Sequence, residues 1–204
     1  ISKEKNVTED LDLKPLTDYS KYKALCEKIL FNYSTNNFCT TVIRPATVCG
    51  YSVRQRLDVV VNILTNLAYN KNKITVYGGD QLRPNIHIDD MIRSYELMIT
   101  SDVKLINKKT YNIGFDNFPV VEIANKVKTI IGKNVELNLV PTNDIRSYHI
   151  SSKKIKDELG FTPLKNIDDA IIDLKNAFEN GLLPNSLSDA KYFNIETMKK
   201  IKLK

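Results

Sequence analysis

Thr17-Asp18-Tyr19-Ser20-Lys21-Tyr22-Lys23, followed by Val42-Ile43-Arg44-Pro45 and Val48-Cys49-Gly50-Tyr51, is the stretch around which the rest of the chain arranges itself. Thr17 or Asp18 can cap a helix that runs to about Tyr33. Its expected apolar stripe is Tyr22, Leu25, Cys26, Ile29, Leu30 and Tyr33. Asn36-Asn37 breaks the helix, and the β-rich run from Phe38 to Arg44 predicts a buried strand. A tyrosine and a lysine four residues apart in one helix share a face, so Tyr19 and Lys23 set a phenol beside an ammonium. A phenol with its ordinary pKa near ~10 is a poor base at neutral pH, but neighbouring positive charge stabilises the phenolate and lowers that value. The pair can then take a proton from a hydroxyl or return it. A tyrosine half-buried on an amphipathic helix is the plainer reading of the same residue.

The spacing occurs twice, at Tyr19/Lys23 and at Tyr69/Lys73. Asn70-Lys71-Asn72 reads as a turn and Lys73 as the start of a strand, so the second pair is expected to diverge. Leu57 to about Tyr69 is predicted helical, and Lys73 to Tyr77 is a short strand ended by Gly78-Gly79. Ile88 to about Thr100 is a helix with Asp89 and Asp90 in its first turn, where carboxylates suit the helix dipole. Asp90 reads as a helix-terminus residue rather than a ligand, and His87 as a strand residue packed under a loop.

Thr110 to Ile113 is a strand, Val120 to Ile131 a helix stopped by Gly132, and Val135 to Val140 a strand. Helices from Ser151 to Leu159 and Ile167 to Asn180 end at Gly160 and Gly181; the residues beyond Pro184 carry no clear pattern. Strands alternating with helices of this length give an α/β layer structure.

Composition narrows the function. Over 204 residues, 42% hydrophobic and 26% charged content is ordinary for a globular chain. No apolar run approaches the roughly 20 residues that span a bilayer, and Ile1 to Glu9 is too polar for a secretory signal; no membrane role is expected and the cytoplasm is the expected compartment. Cys26, Cys39 and Cys49 have neither disulfide nor metal-ligand spacing, and His87 lies far from His149, so no metal site is expected. The cysteines read as small buried side chains. The net charge of +6 comes from lysines interleaved with acids, without a nucleic-acid reader motif, so no nucleic acid is expected as a partner. Of the six arginines, Arg54, Arg56, Arg83 and Arg146 fall in loop-like stretches, which favours a small phosphorylated ligand.

Taken in order, several segments resemble the extended short-chain dehydrogenase/reductase family, in its nucleotide-sugar epimerase and dehydratase branch. They are Val7-Thr-Glu-Asp10, Pro15 to Glu27 with the Tyr19/Lys23 pair, Val42-Ile-Arg-Pro45 with Val48-Cys-Gly-Tyr51, Val76 to Asp90, Tyr111-Asn-Ile-Gly114, and Ser152 to Pro163. The resemblance implies the C-terminal part of an NAD(P)-binding Rossmann-like fold with an α+β substrate-binding subdomain and without its first half. It implies a Rossmann-like remnant over 1–114, with substrate-binding elements inserted at about 47–100, and a substrate-binding region over 115–204.

It also implies roles. Tyr19 would be the catalytic acid/base, helped by Lys23 and the positive charge of an oxidised nicotinamide, and Lys23 would donate to the cofactor ribose. Pro45 would pass the nicotinamide end. Thr47, Arg56, Arg83, Asp144 and Arg146 would meet a nucleoside-diphosphate sugar, Arg83 through its diphosphate. Arg54 would satisfy the spacing of Arg56 as well, and Pro141 stands where some relatives have an arginine. NAD and NADP stay open as the cofactor. Transient oxidation at C4, followed by reduction to the epimer, is the expected reaction; dehydratase and reductase outcomes use the same pair. A homodimer through the Tyr19-Lys23 helix is compatible with its apolar residues.

None of the seven glycines forms a Gly-rich phosphate loop, and no serine or threonine occupies the place the family uses shortly before its tyrosine. The expectation is a fragment, inactive alone. A non-catalytic sugar-nucleotide-binding module is the competing expectation.

Overall fold

The computed structural model describes residues 6–132, 134–142 and 147–202. Helix α1 spans Asp18–Asn32 and is capped by Thr17, whose hydroxyl accepts from the Ser20 amide at 3.3 Å while Ser20 Oγ accepts from the Thr17 amide at 3.0 Å. Its facing differs from the sequence expectation. Tyr22, Leu25, Cys26, Ile29 and Tyr33 are exposed; the partly buried positions are Ser20, Ala24, Glu27, Leu30 and Phe31. Helical periodicity identifies the most apolar side, but here a charged residue, Glu27, makes the attachment described below. Cys26 is therefore exposed, against the expectation of burial, whereas Cys49 is buried.

Strands β1 (Thr41–Pro45) and β5 (Lys109–Ile113) form a parallel pair with Arg44 opposite Asn112. A second sheet runs β2 (Thr47–Cys49), β4 (Leu82–His87), β6 (Asp116–Pro119); β2 is parallel to β4 and β6 antiparallel to it. The third is a parallel pair of β3 (Lys73–Tyr77) and β7 (Glu136–Val140). Parallel pairing requires crossovers, and helices supply them: α2 (Val60–Lys71), α3 (Ile88–Thr100), the short α4 (Val103–Ile106) and α5 (Val120–Ile131). Helices α6 (Lys153–Leu159), α7 (Ile167–Glu179) and α8 (Asn194–Lys200) follow. No described helix is long and apolar enough to cross a membrane.

Two cores flank the site region. Tyr111, Ile113, Ile86, Met91 and Ile155 pack beneath β1 and β5. Val61, Ala68, Ile74, Ile123 and Ile171 join α2, α5 and α7 to β3. A third cluster closes the C-terminal region, where Leu57, Leu174 and Phe178 meet Tyr192. The pattern-poor tail is thus ordered by packing: the Leu57 amide donates to the Tyr192 carbonyl at 2.8 Å.

Candidate active site

Tyr19 and Lys23 lie within the first two turns of α1, four residues apart on an uninterrupted helix, and both are exposed; Tyr19 is 75% exposed. The second Tyr-x-x-x-Lys match separates as expected. Tyr69 stacks on Phe178 with ring centroids 5.0 Å apart, Asn72 turns the chain at φ 49°, and Lys73 pairs with Glu136 at 3.5 Å.

An ion pair joins helix α1 to the sheet. Arg44 Nε and Nη2 donate to the two Glu27 oxygens at 3.0 and 2.6 Å, in a two-pronged fork. Arg44 Nη1 also donates to the Glu9 carbonyl at 3.2 Å, and the Glu9 carboxylate accepts from the Asn112 amide at 2.6 Å. Pro45, the next residue, is exposed at the C-terminal end of β1, the end at which α/β sheets receive ligands. The Ala46 amide then donates to the Ile113 carbonyl at 2.6 Å. Gly114 permits this closeness: a Cβ there would fall 3.0 Å from Ala46 Cβ and 2.7 Å from Ile150 Cδ1.

Thr47 opens β2 and is partly buried, in register with Asn85 of β4, two residues beyond Arg83. Arg83 Nη1 donates to its neighbour's carbonyl on Leu82 at 3.0 Å, and the guanidinium lies 6.0 Å from the centre of the Tyr148 ring. The Leu82 amide donates to Ser147 Oγ at 3.0 Å, so Ser147 sits against β4 beside Arg83. Asp144 and Arg146, two of the candidate ligand residues, lie outside the described residues. Arg56 is exposed and pairs with Asp58, whose other oxygen accepts from the Asn194 amide at 3.1 Å; Arg54 reaches Asn194 Oδ1 at 3.4 Å. Those contacts connect Arg54 and Arg56 to the start of α8.

Sequence reasoning does not locate a charge network around the start of α3. His87 is fully buried and caps α3, its Nδ1 accepting from the Asp89 amide at 3.1 Å while Nε2 lies 3.0 Å from Asp173. The ammonium of Lys165 joins Asp89 at 2.7 Å and Asp173 at 3.3 Å, and with its hydrogen bond holds the Asp89 carboxyl below the usual range. His87, Asp89 and Asp173 come close enough to suggest a cation site. With one imidazole nitrogen used as a helix cap and an ammonium already between the carboxylates, they form a structural ion cluster instead. Asp90 is likewise structural. Its carboxylate, 1% exposed, accepts from the Leu164 and Lys165 amides at 3.0 and 2.9 Å and from Arg93. Burial pushes the Cys49 thiol up to about 12, so it is a packed side chain and not a thiolate nucleophile.

Residues 2–114 match the NAD dependent epimerase/dehydratase family. The chain is 25% identical to a UDP-glucose 4-epimerase of Lactobacillus helveticus over 191 residues, covering 84% of this chain and 58% of that protein. It is 26% identical to a dTDP-glucose 4,6-dehydratase of Streptomyces griseus over 170 residues, 80% of this chain and 50% of that one. The fold superposes on a dTDP-glucose 4,6-dehydratase of Bacillus anthracis solved in complex with NAD, with a TM-score of 0.78, 21% identity, and coverage of 92% of this chain and 60% of that one. A UDP-glucose 4-epimerase of Thermotoga maritima solved with UDP-glucose gives a TM-score of 0.77 at 23% identity, covering 89% of this chain and 60% of that one. The α/β architecture is therefore the Rossmann-like one of these enzymes, and the chain spans about half to three-fifths of their length. With more than half of its residues matching the family, the chain belongs to the NAD-dependent epimerase/dehydratase family.

Proposed function

We propose that this chain carries the proton-transfer half of an NAD(P)-dependent enzyme that modifies a nucleoside-diphosphate sugar, with epimerisation through transient oxidation at C4 as the reaction. The observation that carries the reading is the placement of Tyr19 and Lys23, exposed one helical turn apart on a helix joined to β1 immediately before Pro45. The cofactor, NAD or NADP, supplies the hydride acceptor and donor when bound. The residues present suit its nicotinamide-ribose end: Lys23 offers ammonium donors to a ribose, and Pro45 offers backbone at the strand tip. No glycine-rich turn for the pyrophosphate occurs among the 204 residues, so the chain alone is expected to bind dinucleotide weakly and turn over little.

The proton route follows from the residue types at the site. With the cofactor bound, Tyr19 would take the proton of the sugar C4 hydroxyl while the oxidised nicotinamide would accept the hydrogen of that carbon as hydride, and Lys23 would donate to the cofactor ribose. Return of the hydride to the other face of the carbonyl, with the proton given back by Tyr19, would yield the epimer. Arg83, with Thr47 on the neighbouring strand and with Asp144 and Arg146, is assigned to the nucleoside diphosphate. We assign Arg56 to the polar rim of the same ligand. The exposed apolar side of α1, with Tyr22, Leu25, Ile29 and Tyr33, is assigned to a second copy of the chain; sedimentation at twice the 23.3 kDa chain mass is the expected result, and a monomer at all concentrations contradicts it.

Titration calorimetry with UDP-glucose tests the substrate assignment. Loss of a charge-assisted contact to phosphate in Arg83→Ala is expected to weaken binding about 10- to 100-fold; unchanged affinity contradicts the assignment. The missing glycine-rich turn favours one second reading, a sugar-nucleotide-binding module without chemistry. The same titration with and without NAD+ separates the two, because a module binds UDP-glucose without any cofactor dependence. Product analysis of the C4 configuration separates epimerase from dehydratase and reductase.

A further inference from the structure

No residue of α1 is fully buried, and the apolar side chains of the helix mostly face outward. An attachment through packing alone would leave such a helix free to rock. What it has instead is the Arg44 fork on Glu27, whose two side chains are only 22% and 20% exposed. Glu27 lies one turn beyond Lys23, and two turns beyond Tyr19, along the same broad side of the helix. Arg44 is the residue before Pro45, and its position in the strand is fixed by pairing with β5, where Asn112 stands opposite. Its third nitrogen holds the Glu9 carbonyl, and Glu9 in turn holds the Asn112 amide. A planar guanidinium bonded twice to one carboxylate defines a rotation as well as a distance, which a lysine at the same place does not.

We propose that Arg44 is a positioning residue: through Glu27 it sets the distance and rotation of α1 relative to the tip of β1, and so holds Tyr19 and Lys23 in register with the reacting carbon. The inference rests on the proton-transfer reading above and adds to it the part that keeps the pair in place. Arg44 itself is engaged with Glu27 and Glu9 and acts only through the helix.

The test compares Glu27→Gln, Arg44→Lys and the exchanged pair Glu27→Arg with Arg44→Glu, in the protein as expressed from its own gene. Hydrogen exchange is followed over residues 18–32, with α5 as an internal reference. Both single variants are expected to speed exchange in α1 by about tenfold while α5 is unchanged, because a local attachment is lost and not the fold. In turnover with NAD+ and UDP-glucose, displacement of the phenol is expected to lower kcat about 10- to 100-fold. KM for UDP-glucose should stay within about twofold of the parent, since the diphosphate is assigned to Arg83 and not to α1. The exchanged pair is expected to recover part of both effects. If Tyr19→Phe abolishes turnover while Arg44→Lys and Glu27→Gln change neither α1 exchange nor kcat, the positioning role is wrong and the proton-transfer reading stands. If Tyr19→Phe retains full turnover, the reading itself falls, whatever α1 does.

Discussion

Tyr19→Phe is expected to lower kcat by about 10²- to 10⁴-fold, the range that a positioned general acid/base contributes. The substitution removes one hydroxyl from a side chain that is 75% exposed and forms none of the core, so stability should change by no more than about 0.5 kcal/mol. A fall in turnover with an unchanged melting curve therefore isolates chemistry from folding. Affinity for the nucleoside-diphosphate sugar should survive, because the diphosphate and not the phenol is assigned to Arg83. Lys23→Met removes the ammonium and keeps the length of the side chain. It should lower turnover too, with a raised KM for NAD+, because Lys23 is assigned to the cofactor ribose. Full activity in Tyr19→Phe, measured on the protein as expressed from its own gene, contradicts the mechanism at its first step.

Asp90→Ala is expected to give the largest loss of stability, about 3–5 kcal/mol, as for a buried ion pair broken from one side. The carboxylate is 1% exposed and accepts from two backbone amides and one arginine. Its removal leaves the Leu164 and Lys165 amides without their acceptor, at about 1–3 kcal/mol for each donor shut off from water, whereas the Arg93 guanidinium is 38% exposed and keeps the Thr162 carbonyl at 3.3 Å. It also detaches the stretch at Leu164 and Lys165 from the first turn of α3 and so weakens the nearby Lys165 contacts to Asp89 and Asp173. Asp90→Asn keeps one acceptor oxygen and should lose roughly half as much. Urea melts of the three proteins check this; an Asp90→Ala midpoint equal to that of the parent contradicts the structural role. Turnover per folded molecule should be less affected than in Tyr19→Phe, since Asp90 faces the 162–165 segment and not the strand tip.

Much of the architecture was readable because the chain punctuates itself. Helix α3 and strand β3 fall on the boundaries that the turn residues and Asp89-Asp90 mark, and α5 ends where Gly132 stands at φ 151°. Strands β2 and β6 have three and four residues, too few for a period of two to declare itself, and they exist because β4 lies between them. The tail beyond Pro184 lacks a pattern because its order comes from long-range packing on Leu57 and Phe178.

The site shows the same division. Tyr19 and Lys23 are local in sequence, and helix geometry alone brings them together. The facing of α1 departs from its apolar periodicity for a physical reason: its apolar residues outnumber the partner-making ones, yet Glu27 finds Arg44 across seventeen positions of chain. His87 and Asp173 are 86 residues apart, and no spacing rule connects them. Asp144 and Arg146 remain assignments from resemblance and lie outside the described residues.

Turnover of UDP-glucose with NAD+ by the parent protein, Tyr19→Phe and Lys23→Met, measured beside their affinity for UDP-glucose, tests the central claim most directly. If the Tyr19 phenol is the proton carrier and Lys23 its cofactor-binding partner, Tyr19→Phe loses about 10²- to 10⁴-fold in kcat. Lys23→Met then loses turnover with a raised KM for NAD+, and both variants bind UDP-glucose as the parent does. Turnover in Tyr19→Phe equal to that of the parent contradicts the account.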